Sequence, residues 1–279
     1  MSIVTGSNTI IKENLLAQEV VRLLDLKFVI APWANTMYEW MIKQKGDTVS
    51  IETFPRLSWS SATTAWATIS TSTFAITKDQ LVIDQLATFG YKFSELEDVQ
   101  SNLALATKIA EQMIYGQEKT IEQFIIKTAV EGANSSNVLG SLSTELTAST
   151  IAKAVEDIVV GLQEQNVDPS TSGLFVSPKI ASLIRQSSYF TGFREWLDVR
   201  RNGSIGRIGE LEVMVSNNIG YKCMIALDRD SVHFAAQWTG FRDEVVNGAF
   251  SRQLIWEMAY GSKVCTENAK RIVLYYYSN

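Results

Sequence analysis

Polar and apolar positions alternate along most of this chain with recognisable periods, but one stretch carries no charge at all. From Leu57 to Thr77, 21 residues hold no charged side chain, and eleven are Ser or Thr set around Trp59, Trp66, Ile69, Phe74 and Ile76. That many hydroxyls exclude a membrane span, which needs about 20 mostly apolar residues. Phe74 and Ile76 alternate with Thr73, Ala75 and Thr77, the period of a strand. Upstream, Gly46-Asp47 signals a turn, and Val49 and Ile51 alternate with Ser50 and Glu52 until Pro55 stops the run. The two runs predict a long two-stranded hairpin. Two strands alone are marginal in water, so the hairpin needs a platform, which another subunit can supply. A further apolar strand region is predicted from Leu81 to Phe93, closed by Gly90.

A helical period follows. Ser94-Glu95-Leu96-Glu97 fits a capping box, and Glu95, Glu97 and Asp98 suit a positive helix N-terminus. Apolar residues then recur at Leu96, Val99, Leu103, Ala106, Ala110, Met113, Ile121 and Phe124. The pattern stops at Gly132, a predicted C-cap. This predicts a helix of roughly 37 residues, about 55 Å long at 1.5 Å per residue, with Gly116 as a candidate bend. An uncharged arm beside so long a strut predicts a surface that other copies of the chain cover.

The flanks read differently. Ile11, Leu15, Leu16, Val20, Leu23 and Leu24 have helical spacing, and Ala31-Pro32 breaks the pattern before a cluster of Trp33, Tyr38, Trp40 and Met41. That cluster suits either an ordinary core or an N-terminal arm resting on a neighbour. Residues 133–143 are polar and contain glycine, the signature of a domain boundary. Beyond them the pattern is compact α/β. A helix is predicted from Ile151 to Gln165 and a buried strand at Leu174-Phe175-Val176. Ser177-Pro178 then opens a second helix, and Val213 and Val215 mark another strand. The last part returns to strands at 232–237, 253–260 and 271–277. Their distance in sequence from the long helix predicts a discontinuous domain.

Composition and charge narrow the functional classes. The chain has 279 residues, is 46% hydrophobic and carries a net charge of −5. It can bury a core, but it lacks the basic footprint of a specific nucleic-acid binder. Cys223 and Cys265 form neither a disulfide framework nor a zinc pattern. His233 is the only histidine and lies in an alternating run, Val232-His233-Phe234-Ala235-Ala236, where a packing role is expected. Gly203-Ser204-Ile205-Gly206-Arg207-Ile208-Gly209 lacks the Gly-Lys-Ser/Thr of a P-loop and precedes a strand, so it reads as a hairpin turn. Asp228 and Asp230 flank Arg229 and read as a solvated turn. Glu195, Asp198, Arg200 and Arg201 form a mixed charge cluster, either a solvated face or an ion-pair ring between subunits. No catalytic, cofactor-binding or metal-ligating set emerges. The N-terminus carries neither the basic start nor the apolar core of a signal peptide, and no run of 18 apolar residues exists.

The order of these parts resembles the major capsid proteins of tailed bacteriophages, the Hong Kong 97-type shell fold. The resemblance rests on Gly46-Asp47-Thr48-Val49, on Leu81-Val82-Ile83-Asp84-Gln85 through Tyr91-Lys92-Phe93, and on Glu97-Asp98-Val99-Gln100. It continues in 202–208 followed by Val213-Met214-Val215-Ser216-Asn217-Asn218, and in Tyr260-Gly261-Ser262-Lys263-Val264. It implies an α+β fold with an N-terminal arm (1–45) and an extended β-hairpin loop with its base (46–93). A peripheral domain carries the long spine helix (94–135 and 232–279), and an α/β axial domain covers 136–231. It implies a structural protein, not an enzyme. The chain would be made in the host cytoplasm and self-assemble into hexamers and pentamers of an icosahedral shell in the virion, around double-stranded DNA contacted non-specifically. Scaffolding, portal and decoration proteins are the implied partners, with no cofactor and no membrane. The expected subunit-interface residues are Arg56, Trp59, Trp66, Ile69 and Phe74 on the loop, and Glu195, Asp198, Arg200 and Arg201 on the axial domain. Some members weld subunits through a loop lysine. No lysine lies between Lys45 and Lys78 here, so non-covalent shells are expected. With only about 45 residues before the loop, a separate scaffolding protein is expected. An encapsulin-like nanocompartment shares the implied fold, and a soluble α/β enzyme or ligand-binding protein is the alternative of another class.

Overall fold

The computed structural model describes residues 29–41, 46–54, 76–94, 104–187, 190–192, 204–245 and 251–278. The predicted amphipathic segment at 11–24 and the capping box beyond Ser94 lie outside them. The first strands are β1 (Thr48–Thr53), β2 (Thr77–Val82) and β3 (Gln85–Ser94), followed by helix α1 (Ala104–Gly132). An α/β run follows: β4 (Val138–Gly140), α2 (Ile151–Glu164), β5 (Ser172–Val176), α3 (Pro178–Gln186), β6 (Phe190–Gly192), β7 (Ser204–Ile208), β8 (Leu211–Val215) and β9 (Cys223–Asp228). The chain closes with β10 (His233–Val245), β11 (Ser251–Lys263) and β12 (Ile272–Tyr276).

These strands form three sheets. The largest has the order β4-β12-β9-β5-β8-β7-β6. Its central strands β9 and β5 are buried along their whole length, because both faces are covered. Leu174, Val176, Val213, Met224, Ala226 and Val273 point to one face and join the core under α2 and α3. Their sequence neighbours Phe175, Met214, Ile225, Leu227, Ile272 and Leu274 point to the other face, toward α1 and the 29–34 segment. The period of two thus divides one strand set between two cores. Among the described residues the sheet's edges are β4 and β6.

Helix α1 lies between two sheets. Ile121, Ile125, Ile126 and Ala129 recur at helical spacing and are buried against the seven-stranded sheet's core. Phe124 meets Tyr260 of β11 edge-to-face at 5.2 Å, and Gln117 reaches Met258 of the same strand. Strand β11 is the middle of the three-stranded sheet β10-β11-β3. The described helix has 29 residues, about 44 Å at 1.5 Å per residue, and runs unbroken through Gly116. Gly132 is the last helical residue rather than a left-handed cap. It is glycine because a Cβ there would come within 2.6 Å of the Val264 side chain.

Several sequence expectations change here. The predicted strand at 81–93 is two elements, since β2 ends at Val82 and β3 begins at Gln85 in another sheet. Gly90 does not close it but pairs with Ile255 inside β3. The polar connector at 133–143 contains edge strand β4, anchored by Asn137, whose amide donates to the Lys270 and Ile272 carbonyls. The supposed turn at 203–209 is largely strand β7, and the turn itself is Gly209-Glu210. Strand β12 pairs with β4 and β9 in the seven-stranded sheet.

Candidate subunit interface

The residues expected at the interface fall in two segments. Arg56, Trp59, Trp66, Ile69 and Phe74 lie within 55–75, and Glu195, Asp198, Arg200 and Arg201 within 193–203. Both segments are outside the described residues. What is described is how each is rooted.

The loop root is β1 paired antiparallel with β2, from Thr48 opposite Val82 to Thr53 opposite Thr77. The partner of β1 is therefore almost wholly the charged run after the uncharged stretch, not the second half of that stretch. One face of this ribbon buries Val49, Ile51, Leu81 and Ile83 against Ala235 of β10, Ala259 of β11 and Cys265. Each such side chain contributes roughly 1.5–3 kcal/mol. The exposed Lys78–Glu52 pair across the ribbon, at 3.0 Å, adds at most about 1 kcal/mol. Burial therefore holds the root, and its platform belongs to the same chain. Two further contacts fix its height. Asp79 accepts from the Thr266 amide at 2.9 Å and from its hydroxyl at 3.1 Å. Val82 lies so close over Gly261 that any Cβ there would overlap its carbonyl oxygen.

On its open face the ribbon carries apolar residues to the point where the loop departs. Phe54 is 61% exposed and Ile76 44%, one position beyond the Thr53–Thr77 pair. The sequence cluster at 33–41 divides in the same way. Trp33 is buried, edge-on to Phe175 at 5.8 Å and under the Arg229 guanidinium, whereas Trp40 is 78% exposed and Met37 67%. The segment 193–203 leaves the far edge of the seven-stranded sheet between β6 and β7, which pair antiparallel with Gly192 opposite Gly206.

The remaining candidates are structural. His233 is buried at the start of β10, edge-on to Tyr38 at 5.6 Å, with Nε2 3.2 Å from the Asn268 amide nitrogen. Burial lowers its pKa, and Asp230 and Asp79 oppose that shift. The solvated-turn reading fails for Asp228, the last residue of β9. Its carboxylate is largely buried and accepts from Arg271 at 2.8 Å, while Asp230 stays exposed in the turn. Burial pushes the Cys223 thiol up to about 12 and Cys265 to about 11, so neither is a thiolate near neutral pH. Among the described residues, no group of three His, Cys, Asp or Glu could hold a metal, and no helix is long and apolar enough to cross a membrane. Sequence reasoning missed Glu122, because a charged side chain within a helical period gives no local sign of burial. It is fully buried on α1.

No family model matches the sequence, and no curated protein matches it. Solved structures do match in three dimensions. A chain of the structure described as Mycobacterium phage Che8 superposes with a TM-score of 0.70 at 18% identity, covering 89% of this chain and 91% of that one. The capsid structure of the cyanophage P-SCSP1u gives a TM-score of 0.69 at 11% identity, over 90% of this chain and 88% of that one. A virus-like particle from Pyrococcus furiosus gives 0.57 at 14% identity, over 93% and 97%. At these identities the likeness is one of fold, and it extends over nearly the whole length of both partners. The chain has a mixed α+β fold of the kind seen in these phage and virus-like-particle structures.

Proposed function

We propose that this chain is the major capsid protein of a tailed bacteriophage, a non-enzymatic shell subunit of Hong Kong 97 type that self-assembles into the hexamers and pentamers of a virion. The observation that carries the reading is likeness of fold over about nine-tenths of the chain to phage capsid structures. The finer assignment follows the sequence division: arm 1–45, extended loop 46–93, peripheral domain 94–135 and 232–279, axial domain 136–231. Strand β12, at the end of the proposed peripheral segment, pairs with β9 of the proposed axial domain. Double-stranded DNA would fill the shell with non-specific contacts, and scaffolding, portal and decoration proteins would complete it. Trp59 and Trp66 would anchor the loop on a neighbouring copy, since large aromatics dominate interface energetics. Arg56, Ile69 and Phe74 would flank them, and Glu195, Asp198, Arg200 and Arg201 would meet near the capsomer axis.

The test is electron microscopy of the largest species after expression, with and without the neighbouring candidate scaffold gene. Polyhedral shells support the reading. A clean monomer under both conditions returns the chain to the enzyme or ligand-binding alternative. Trp66→Ala should impair assembly and leave the monomer folded, and Arg200→Glu should impair capsomer formation. Normal shells from either variant remove that residue from the interface.

A second reading is a nanocompartment shell, favoured by the fold likeness to a virus-like particle from Pyrococcus furiosus. The contents of purified particles separate the two: packaged DNA supports the phage capsid, and a cargo enzyme supports the compartment.

A further inference from the structure

Glu122 is fully buried on α1, and among the described residues its carboxylate has four partners in two separate chain segments. Oε1 accepts from the backbone amides of Val29 and of Ile30, the latter at 3.0 Å. Oε2 accepts from the Ser216 hydroxyl at 3.1 Å and the Asn218 side-chain amide at 2.7 Å. Four acceptor contacts fill the capacity of a carboxylate. All four donors are neutral groups.

Both segments are structurally committed. On one side, the 29–35 strap inserts Trp33 against Phe175 and Gly173. It then bridges to β10, with the Asn35 amide donating to the Val232 carbonyl and the Phe234 amide to the Asn35 carbonyl. On the other side, the 216–218 turn leaves β8. The Ser216 amide donates to the Val176 carbonyl at the end of β5, and the Ser216 hydroxyl accepts from the Asn218 amide. The strap and the turn are almost 190 residues apart in sequence, and among the described residues the hydrogen bonds that join them run through one side chain of α1.

We propose that Glu122 is a conformational coupler: a two-sided carboxylate clamp through which the position of the chain at Val29–Ile30 is read by the Ser216–Asn218 turn of the seven-stranded sheet. The physics is that of a buried carboxylate whose partners among the described residues are all neutral donors. Its desolvation is offset only when every lone pair is filled, and a half-satisfied polar network is costly. Removing the two donors on Oε2 leaves the carboxylate under-solvated. It then turns or admits water, and its grip on the strap weakens although no strap residue has changed. A partner or second copy that shifts the chain at residue 29 is felt at Asn218 by the same linkage, because coupling free energy is reciprocal. This inference stands independently of the shell reading.

The test is residue-resolved hydrogen exchange on the full chain, wild type and variants in the same assembly state. Asn218→Ala and Ser216→Ala each remove one donor on the turn side. The expected result is at least a tenfold rise in exchange at Val29 and Ile30, with α2 amides unchanged. Glu122→Gln, which keeps the shape and loses the charge, should loosen both segments together. Gln123→Ala, on the exposed side of α1, should change neither. Exchange at Val29 and Ile30 within about twofold of wild type in both turn variants overturns the proposal, because the two halves of the clamp would then be independent. A uniform rise that includes α2 overturns it as well, since that is global destabilisation. If Asn218→Ala does not fold, Asn218→Ser is read by the same criteria.

Discussion

The Arg271 guanidinium lies 2.8 Å from the Asp228 carboxylate and forms a half-buried ion pair where β9 ends and β12 begins. The same guanidinium reaches Asp230 at 3.7 Å, and the Asp228 carbonyl accepts from the Ser231 amide and hydroxyl. The pair therefore closes one end of the sheet and sets the turn into β10. Arg271→Leu should lower the stability of the unassembled chain by about 1–2 kcal/mol, between the values of exposed and buried pairs. Urea unfolding should show a lower midpoint with an unchanged slope. A midpoint within error of wild type would mean that the pair contributes nothing.

Two glycines make opposite predictions. A Cβ at Gly261 would overlap the Val82 carbonyl, so Gly261→Ala must push the ribbon root away from β11. It should destabilise the chain and increase proteolysis between 46 and 94. Gly116 lies in mid-helix, and a Cβ there meets nothing within 4 Å. Gly116→Ala should stabilise α1 by about 0.8–1 kcal/mol, the helix propensity difference. A loss of stability there would reveal that a bend at Gly116 is needed.

Acid sensitivity should trace to the one histidine. Burial lowers the His233 pKa below its ordinary value, with Asp230 and Asp79 acting the other way. The unfolded chain then takes up this proton at a higher pH than the folded one. The stabilising contribution is complete above the ordinary value near 6.5 and declines as pH falls through the folded pKa. Urea midpoints taken from pH 7.5 down to 5.5 should fall for the wild type. The fall should be shallower for His233→Gln, and equal slopes would assign it to carboxylates instead.

Much of the α/β run from β4 to β9 was legible because its elements obey local rules. Strand β5 is a short apolar run, α2 has its inward residues at helical spacing, and Ser177-Pro178 opens α3 as its N-cap and first turn. What escaped the sequence is pairwise and long-range. Nothing local distinguishes Glu122 from Gln123, yet one is buried and the other exposed. Asp228 looked like a turn residue because its partner is 43 residues away. The partner of β1 was misplaced because Ile76 carries the alternation that a strand requires, while the pairing is settled by burial of Leu81 and Ile83. The aromatic cluster at 33–41 was read as one group because sequence cannot say that Trp33 turns inward and Trp40 outward.

The two cysteines give the last prediction. Cys223 is buried in β9, and Cys265 lies beneath the ribbon root with Val49, Ile51, Leu81 and Ile83. Burial raises their pKa values to about 12 and about 11, with Asp79 adding to the rise at Cys265. At pH 8 the thiolate, which is the reactive form, is then scarce as well as shielded. Native protein should leave both thiols unmodified by a chromogenic disulfide reagent over the time in which denatured protein titrates two. The positions of the thiols also make them reporters of two different motions. Lifting of the ribbon root exposes Cys265 while Cys223 stays covered by the seven-stranded sheet. Gly261→Ala should therefore make Cys265 react first, with Cys223 reacting only on unfolding. Simultaneous reaction of both would show that the root and the sheet open as one cooperative unit.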